Sequence, residues 1–203
     1  MELRDMALAV VVGAAYVRVV AVLIGVVRSL AARAHARAAR FGLVEALASF
    51  EVVVLAAVAY PCYRAAVDSP NSSIRTAAAL VGAVLAVVYL ALLVAVLASW
   101  RGVHTGAIVV EGQQLVTGGI YGIIRHPLYT GAFVLWVGVA VANLSLPAAG
   151  VFLFFVVPTY LLYIEREERM LKSAFGDAYQ QYCATVPRLL PTRGLHAGSH
   201  RIE

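Results

Sequence analysis

Two short stretches of the chain carry residue types that do chemistry. The first is Leu115-Val116-Thr117-Gly118-Gly119-Ile120-Tyr121-Gly122-Ile123-Ile124-Arg125-His126-Pro127-Leu128-Tyr129-Thr130-Gly131. It reads as a glycine-rich loop that passes through Arg-His-Pro into an apolar helix. Glycines let backbone approach a ligand closely. Pro127 suits the first turn of a helix, where a missing N–H is no loss. The second stretch is Glu165-Arg166-Glu167-Glu168-Arg169-Met170-Leu171, followed by Phe175-Gly176-Asp177-Ala178-Tyr179-Gln180-Gln181-Tyr182. It puts carboxylates at the polar end of an apolar run. If the two apolar helices form an antiparallel hairpin, these ends meet. The site then has an aromatic and imidazole side and an acidic side, which suits a cationic ligand with ring systems. Each signal alone is bland. A histidine before a proline commonly just begins a helix, and Glu-Glu commonly faces solvent. The order and joint spacing of the two stretches carry the reading.

The elements that position them follow from composition. Of 203 residues, 62% are hydrophobic and 13% charged. Soluble domains are about half apolar and about a quarter charged. One small core cannot bury that surplus, so lipid must be part of the solvent. The expected fold is all-α: a polytopic transmembrane bundle of about five membrane helices plus a C-terminal amphipathic helix. The first three spans are expected over Met6–Val27, Leu43–Ala66 and Thr76–Ser99, with a turn at Asp68–Ser72. A hairpin is expected from Leu128–Ala142 and Ala148–Ile164, turning at Asn143, Ser145 and Pro147. Glu165–Val186 has apolar residues at helical spacing and reads as a surface amphipathic helix. Residues 1–99 therefore form an N-terminal three-helix part, 100–191 a functional core and 192–203 a flexible tail. No internal repeat is visible.

Arg28, Arg33, Arg37 and Arg40, with no acid among them, place the first inter-helix loop in the cytoplasm. Counting spans then puts the N-terminus outside, and the C-terminus and active site in the cytosol. The formal charge of +5 is a topology signal in such a chain, and no nucleic-acid partner is read from it. Cys62 and Cys183 lie far apart with no CxxC spacing, which gives neither a metal site nor a disulfide framework. Arg18, Glu45 and Glu51 fall inside expected spans, where a lone charge costs at least about 2.5–3.5 kcal/mol. Arg18 and Glu51 sit at about the same depth on antiparallel neighbours and are expected to pair. The alternative is that each faces a separate polar cavity or snorkels.

The two stretches together resemble the isoprenylcysteine carboxyl methyltransferases and their bacterial relatives, a group that includes phospholipid methyltransferases. The signature L-V-T-x-G-x-Y-x-x-x-R-H-P-x-Y-x-G is met at Leu115–Gly131. The signature E-E-x-x-L-x-x-x-F-G-x-x-Y-x-x-Y is met at Glu167–Tyr182, and a proline-containing end at Pro187–Pro191. The resemblance covers roughly residues 100–191. It implies S-adenosylmethionine-dependent methyl transfer to a lipophilic acceptor, with S-adenosylhomocysteine as product, no metal, and membrane lipids as surroundings. By position, the family's cofactor contacts fall on Gln113, Leu115, Val116, Tyr121, His126, Pro127, Leu128, Tyr129 and Glu167. Aromatic faces at Tyr121 and Tyr129 can hold a cation. Glu167 can accept charge-assisted hydrogen bonds from an ammonium or sugar hydroxyls.

Two positions depart from the pattern. Gln113 stands where the family often has His. Tyr163 stands where the carboxyl methyltransferases carry the Arg that neutralises the substrate carboxylate. Arg166, three residues on and close on a helix surface, is expected to stand in for it, so Tyr163 and Arg166 are the candidate catalytic residues. Phospholipid amine N-methylation and phenolic-lipid O-methylation are the alternative reactions, since neither needs a carboxylate-binding Arg. Outside enzymes, the alternative is a small transporter or a scaffold subunit.

Overall fold

The computed structural model describes residues 2–32, 36–40, 42–99, 107–110 and 112–191. Arg33, the stretch 100–106 and the tail 192–203 lie outside the described residues, and so does the expectation that this tail is flexible. The chain runs α1 (Leu3–Ala32), β1 (Ala36–Arg40), α2 (Leu43–Val67), α3 (Ser73–Ser99), β2 (Ala107–Val110) and a 3-10 turn (Gly119–Gly122). Then come α4 (Pro127–Ala142), α5 (Leu146–Val151), a π turn (Phe152–Val156), α6 (Val157–Phe175) and α7 (Asp177–Thr185).

Among the described residues, four stretches are long and apolar enough to cross a hydrocarbon core: Leu3–Ala32, Leu43–Val67, Ser73–Ser99 and Leu146–Phe175. The chain is a multi-pass membrane protein. Helix α4 has 16 residues, about 24 Å at 1.5 Å per residue, and completes a bundle of about five. Apolar side chains such as Val20, Leu23, Val84 and Phe154 stay exposed on its outside, which is the surface lipid would cover.

Local sequence explains the breaks. Ser145 caps α5 by accepting from the Ala148 N–H at 3.2 Å, and Pro147 sits in its first turn. Pro158 has no N–H to close an ordinary turn, and the π turn lies directly before it. The expected surface helix over 165–186 is not a separate element. Its first half continues the last span through Phe175. The break comes at Gly176, whose φ of +56° is a conformation glycine adopts without strain.

The α3–α4 seam is made of small residues. A Cβ on Gly82 would overlap Ala142 and lie 2.7 Å from the Gly138 carbonyl oxygen. Backbones therefore touch, as membrane helices do through small residues. At one end of the bundle, Arg4 donates to the carbonyls of Ser69 (2.9 Å) and Val67 (3.1 Å), tying α1 to the α2–α3 turn. At the other end β1 and β2 pair antiparallel, a ribbon the sequence reading did not foresee. Val109 of β2 packs on Met170 of α6. The glycine-rich loop lies at this second end.

Candidate active site

Each wall of the site is fixed by a local rule. Gly119 has φ +60°, and a Cβ there would run into the Ser99 hydroxyl. Ser99 closes that contact instead by accepting from the Ile120 N–H at 3.2 Å. The loop is thus pinned to the end of α3. Tyr182 of α7 donates to the Tyr121 carbonyl at 2.7 Å, which holds the same loop from the other side.

The segment after α7 runs as a strap along the start of α4. The N–H of Arg125 donates to Pro187 O (2.9 Å), and that of His126 to Arg188 O (3.1 Å). The Thr130 hydroxyl donates to Leu189 O at 2.8 Å. The Arg125 guanidinium reaches Cys183 O (2.9 Å) and Val186 O (3.0 Å) as well.

Glu167 and Glu168 divide the work. Adjacent helical residues point about 100° apart, so they cannot share a surface. Glu168 lies 3.0 Å from Arg125 Nη2 and 3.0 Å from His126 Nε2, and is bonded by Arg188 through both Nε and Nη2. This clasp joins loop, α6 and strap. Glu167 turns the other way. It accepts from the Tyr129 hydroxyl at 2.8 Å and lies 3.6 Å from His126 Nδ1.

Glu167 lines a cavity of about 380 Å³, within the range of small-molecule pockets. All nine residues expected to contact a cofactor line it: Gln113, Leu115, Val116, Tyr121, His126, Pro127, Leu128, Tyr129 and Glu167. They come from a loop, α4 and α6. Tyr163 lines it too, edge-on to Tyr129 with ring centroids 5.6 Å apart. Arg166 is not among its lining residues. Its guanidinium lies 3.5 Å from Glu45, drawn to a buried carboxylate on α2.

The phenols near the loop stay protonated. Burial pushes Tyr182 up to about 12, against the lowering effect of the Arg125 charge. Burial, then the charge of Glu167, raises Tyr121 as well. Tyr121 is therefore an aromatic face and a neutral hydroxyl, not a base. Arg188 is raised by its hydrogen bond to Glu168, so it remains a cation.

Several lining residues escaped the sequence reading. Arg18 of α1, Ala48 of α2, Tyr89 of α3 and Tyr160 of α6 extend the cavity toward the bundle interior. Arg18 is the informative one. Its Nη2 lies 3.0 Å from Glu51 and donates to the Tyr160 hydroxyl at 2.5 Å. Tyr160 donates to Glu51 at 2.9 Å, and the Trp136 indole N–H donates to it as well. The expected Arg18–Glu51 pair is present, and it stands at the cavity wall. The signal for it was the matched depth of the two intramembrane charges.

A polytopic bundle whose site gathers a glycine-rich loop, Arg-His-Pro and Glu-Glu defines a class of membrane protein, and comparison supplies the family. Residues 78–178 match the model of the phospholipid methyltransferase family. The chain is 39% identical over 84 residues to protein-S-isoprenylcysteine O-methyltransferase B of Arabidopsis thaliana, covering 40% of this chain and 41% of that protein. It is 36% identical over 81 residues to protein-S-isoprenylcysteine O-methyltransferase of Schizosaccharomyces pombe, covering 40% and 34%. It is 38% identical over 76 residues to methanethiol S-methyltransferase 1 of Bradyrhizobium diazoefficiens, covering 36% and 25%. The chain thus spans about two fifths or less of the length of these relatives. Over this core, just under half its length, the chain is similar to the phospholipid methyltransferase family and to the isoprenylcysteine methyltransferases. The match begins within α3, the helix whose Ser99 pins the loop.

Proposed function

We propose that this protein is an S-adenosylmethionine-dependent methyltransferase acting on a lipophilic acceptor within or at the membrane. The observation that carries the reading is the convergence of the nine expected contact residues on one cavity. The donor set suits this cofactor. Glu167, oriented by the Tyr129 hydroxyl, offers an anion to an ammonium or to sugar hydroxyls. Tyr121 and Tyr129 offer aromatic faces to a cation. Gln113, Leu115 and Val116 supply the loop wall. When bound, the cofactor supplies a methyl group already activated as an electrophile on sulfur.

What remains for the chain is positioning and exclusion of water. The strap and α7 close the site over the loop, and the Glu168 clasp holds both in register with α4. Tyr163 faces the cavity where an acceptor would lie, and we assign it to acceptor contact. Arg166, engaged by Glu45, is assigned to holding α6 against α2. Residues 100–191 are the functional core in this reading. The arginine-rich segment between α1 and α2 supports a cytosolic position for the site end, with the N-terminus outside.

The test is calorimetry of the purified protein with S-adenosylmethionine and S-adenosylhomocysteine, with no metal added. One site per chain is expected for each. Flat titrations with folded protein would overturn the reading.

A further inference from the structure

The methyltransferase reading leaves the acceptor's chemistry open, and the charges along the cavity narrow it. The part of the cavity toward α1, α2 and α3 is lined by small or apolar residues, among them Ala21, Val22, Gly25, Ala48, Leu93 and Val96. Its buried charged residue is Arg18, 4% exposed, while Arg28 stands at the exposed end of α1. That guanidinium is already matched: Glu51 accepts from its Nε and Nη2, and its Nη2 also donates to the Tyr160 hydroxyl. Glu51 is equally committed, to Arg18, Tyr160 and Trp136. Arg125, which also lines the cavity, has its charge matched by Glu168 and gives Nη1 to two carbonyls, leaving only its buried Nε–H without a partner. Arg166 faces Glu45 instead of the cavity. Among the described residues, a carboxylate acceptor would find no buried cation lacking a carboxylate partner, and an amine would have to enter stripped of its proton, since no uncommitted anion lines the cavity once Glu167 serves the cofactor. Burying an unpaired ion is costly; burying a neutral group with one hydrogen bond is not.

We infer that the acceptor is an uncharged X–H nucleophile on an apolar body, a phenol or a thiol, and that His126 takes its proton. The inference rests on the methyltransferase reading above. In the balanced step, the acceptor oxygen or sulfur forms a bond to the methyl carbon as the carbon–sulfonium bond breaks. The departing sulfur keeps the electron pair and becomes a neutral thioether, and the acceptor's proton goes to His126 Nδ1. The ring is arranged for this. Glu168 accepts from Arg125 and Arg188, so it meets His126 Nε2 as an acceptor and fixes the hydrogen there. Nδ1 is left as the lone-pair nitrogen, 3.6 Å from Glu167. Once Nδ1 is protonated, the imidazolium lies between two carboxylates, Glu168 at 3.0 Å and Glu167.

The experiment uses the full chain in lipid nanodiscs and four probes with one tail: 4-dodecylphenol, dodecanethiol, dodecanoate and dodecylamine. Binding to the S-adenosylhomocysteine-loaded protein is read by calorimetry, and methylation by mass spectrometry. The phenol or the thiol should bind and react at least about tenfold better than the two ionic probes, as the cost of burying an unpaired charge implies. His126→Gln should slow the phenol by about 100-fold or more, and a more acidic nitro-substituted dodecylphenol should recover much of that loss. A merely structural role for His126 would give no such recovery. Preference for dodecanoate would overturn the inference and implicate Arg28, at the exposed end of α1 on the cavity rim. Preference for dodecylamine, or cofactor binding with no probe bound or methylated, would overturn it too while leaving the methyltransferase reading intact. Failure of the cofactor itself to bind would remove both.

Discussion

Two carboxylates organise this molecule, and they do so in different solvents. Glu51 sits in the bundle interior, its side chain 1% exposed beside an Arg18 side chain 5% exposed. It joins α1, α2, α4 and α6 through Arg18, Trp136 and Tyr160. Glu168 sits at the site end with 14% of its side chain exposed, and one partner, Arg188, is 41% exposed. It joins loop, α6 and strap. The hydrogen-bond counts are similar. What differs is the competitor. In the interior no water can replace a lost partner, so the network must be complete or the fold suffers. At the rim, water can take over part of what is lost. The interior network therefore serves as a fixed floor, and the rim clasp as a fastener that can loosen without unfolding the bundle.

The largest effect is expected from breaking the interior pair on one side. Arg18→Leu strands Glu51 and should cost about 3–5 kcal/mol, seen as a large fall in thermal stability in detergent. The double variant with Glu51→Leu removes the stranded charge and should recover much of the loss. Recovery will be incomplete, because Trp136 and Tyr160 also lose their acceptor. A double variant no better than the worse single would mean that the pair contributes nothing as a pair.

A smaller effect sharpens the same comparison between neighbours in sequence. Glu168→Gln should lower stability, because it weakens bonds to two guanidiniums and an imidazole; hydrogen bonds to charged groups contribute about 1.5–3 kcal/mol each at most. Glu167→Gln should leave the melting temperature nearly unchanged. It should instead weaken S-adenosylhomocysteine binding by about 1.5–3 kcal/mol, or roughly 10–100-fold. Melting curves and calorimetry on both variants give the four numbers needed. Equal losses of affinity with equal losses of stability would erase the division of labour between them.

At the same site, Tyr163→Arg tests the cavity's charge balance. Cofactor affinity should stay within about twofold, well under 1.4 kcal/mol, while acceptance of a carboxylate probe rises. Methylation assays on dodecanoate before and after the change decide it. Unchanged preference would mean that the added guanidinium finds a partner elsewhere.

Much of this was legible because membranes constrain sequence strongly. Long apolar runs gave the spans, and equal depth on antiparallel helices brought Arg18 to Glu51. The 100° step between neighbours separated Glu167 from Glu168. Tertiary choices were not legible. Arg166 lies beside Tyr163 on the helix surface, yet a long flexible side chain follows the nearest buried carboxylate, and Glu45 comes from another helix. Trp136 and Tyr160 complete the Glu51 network only because α4 and α6 are rotated so that they face it, and hydrophobic periodicity is too weak on all-round apolar helices to fix rotation. The β1–β2 ribbon joins segments about 70 residues apart, Ala36 with Val110 among them. Runs such as Ala-Arg-Ala-Ala-Arg carry no strand pattern of their own.

The smallest effect concerns the outermost member of the clasp. Arg188 bonds both oxygens of Glu168, yet two fifths of its side chain meets solvent. Its high pKa keeps it charged at any working pH, so pH is the wrong lever and salt is the right one. Arg188→Gln should cost less than about 1 kcal/mol, the usual worth of a solvent-exposed pair. Raising the ionic strength from about 0.01 to 1 M shrinks the screening length from about 30 to 3 Å. The wild type should then lose most of the small advantage it has over the variant. The Arg18 pair, shielded from ions by the bundle, should show no such dependence when Arg18→Leu is measured across the same series. Parallel salt curves for the two sites would mean that water and ions reach Glu51 as they reach Glu168, and the contrast between floor and fastener would be lost.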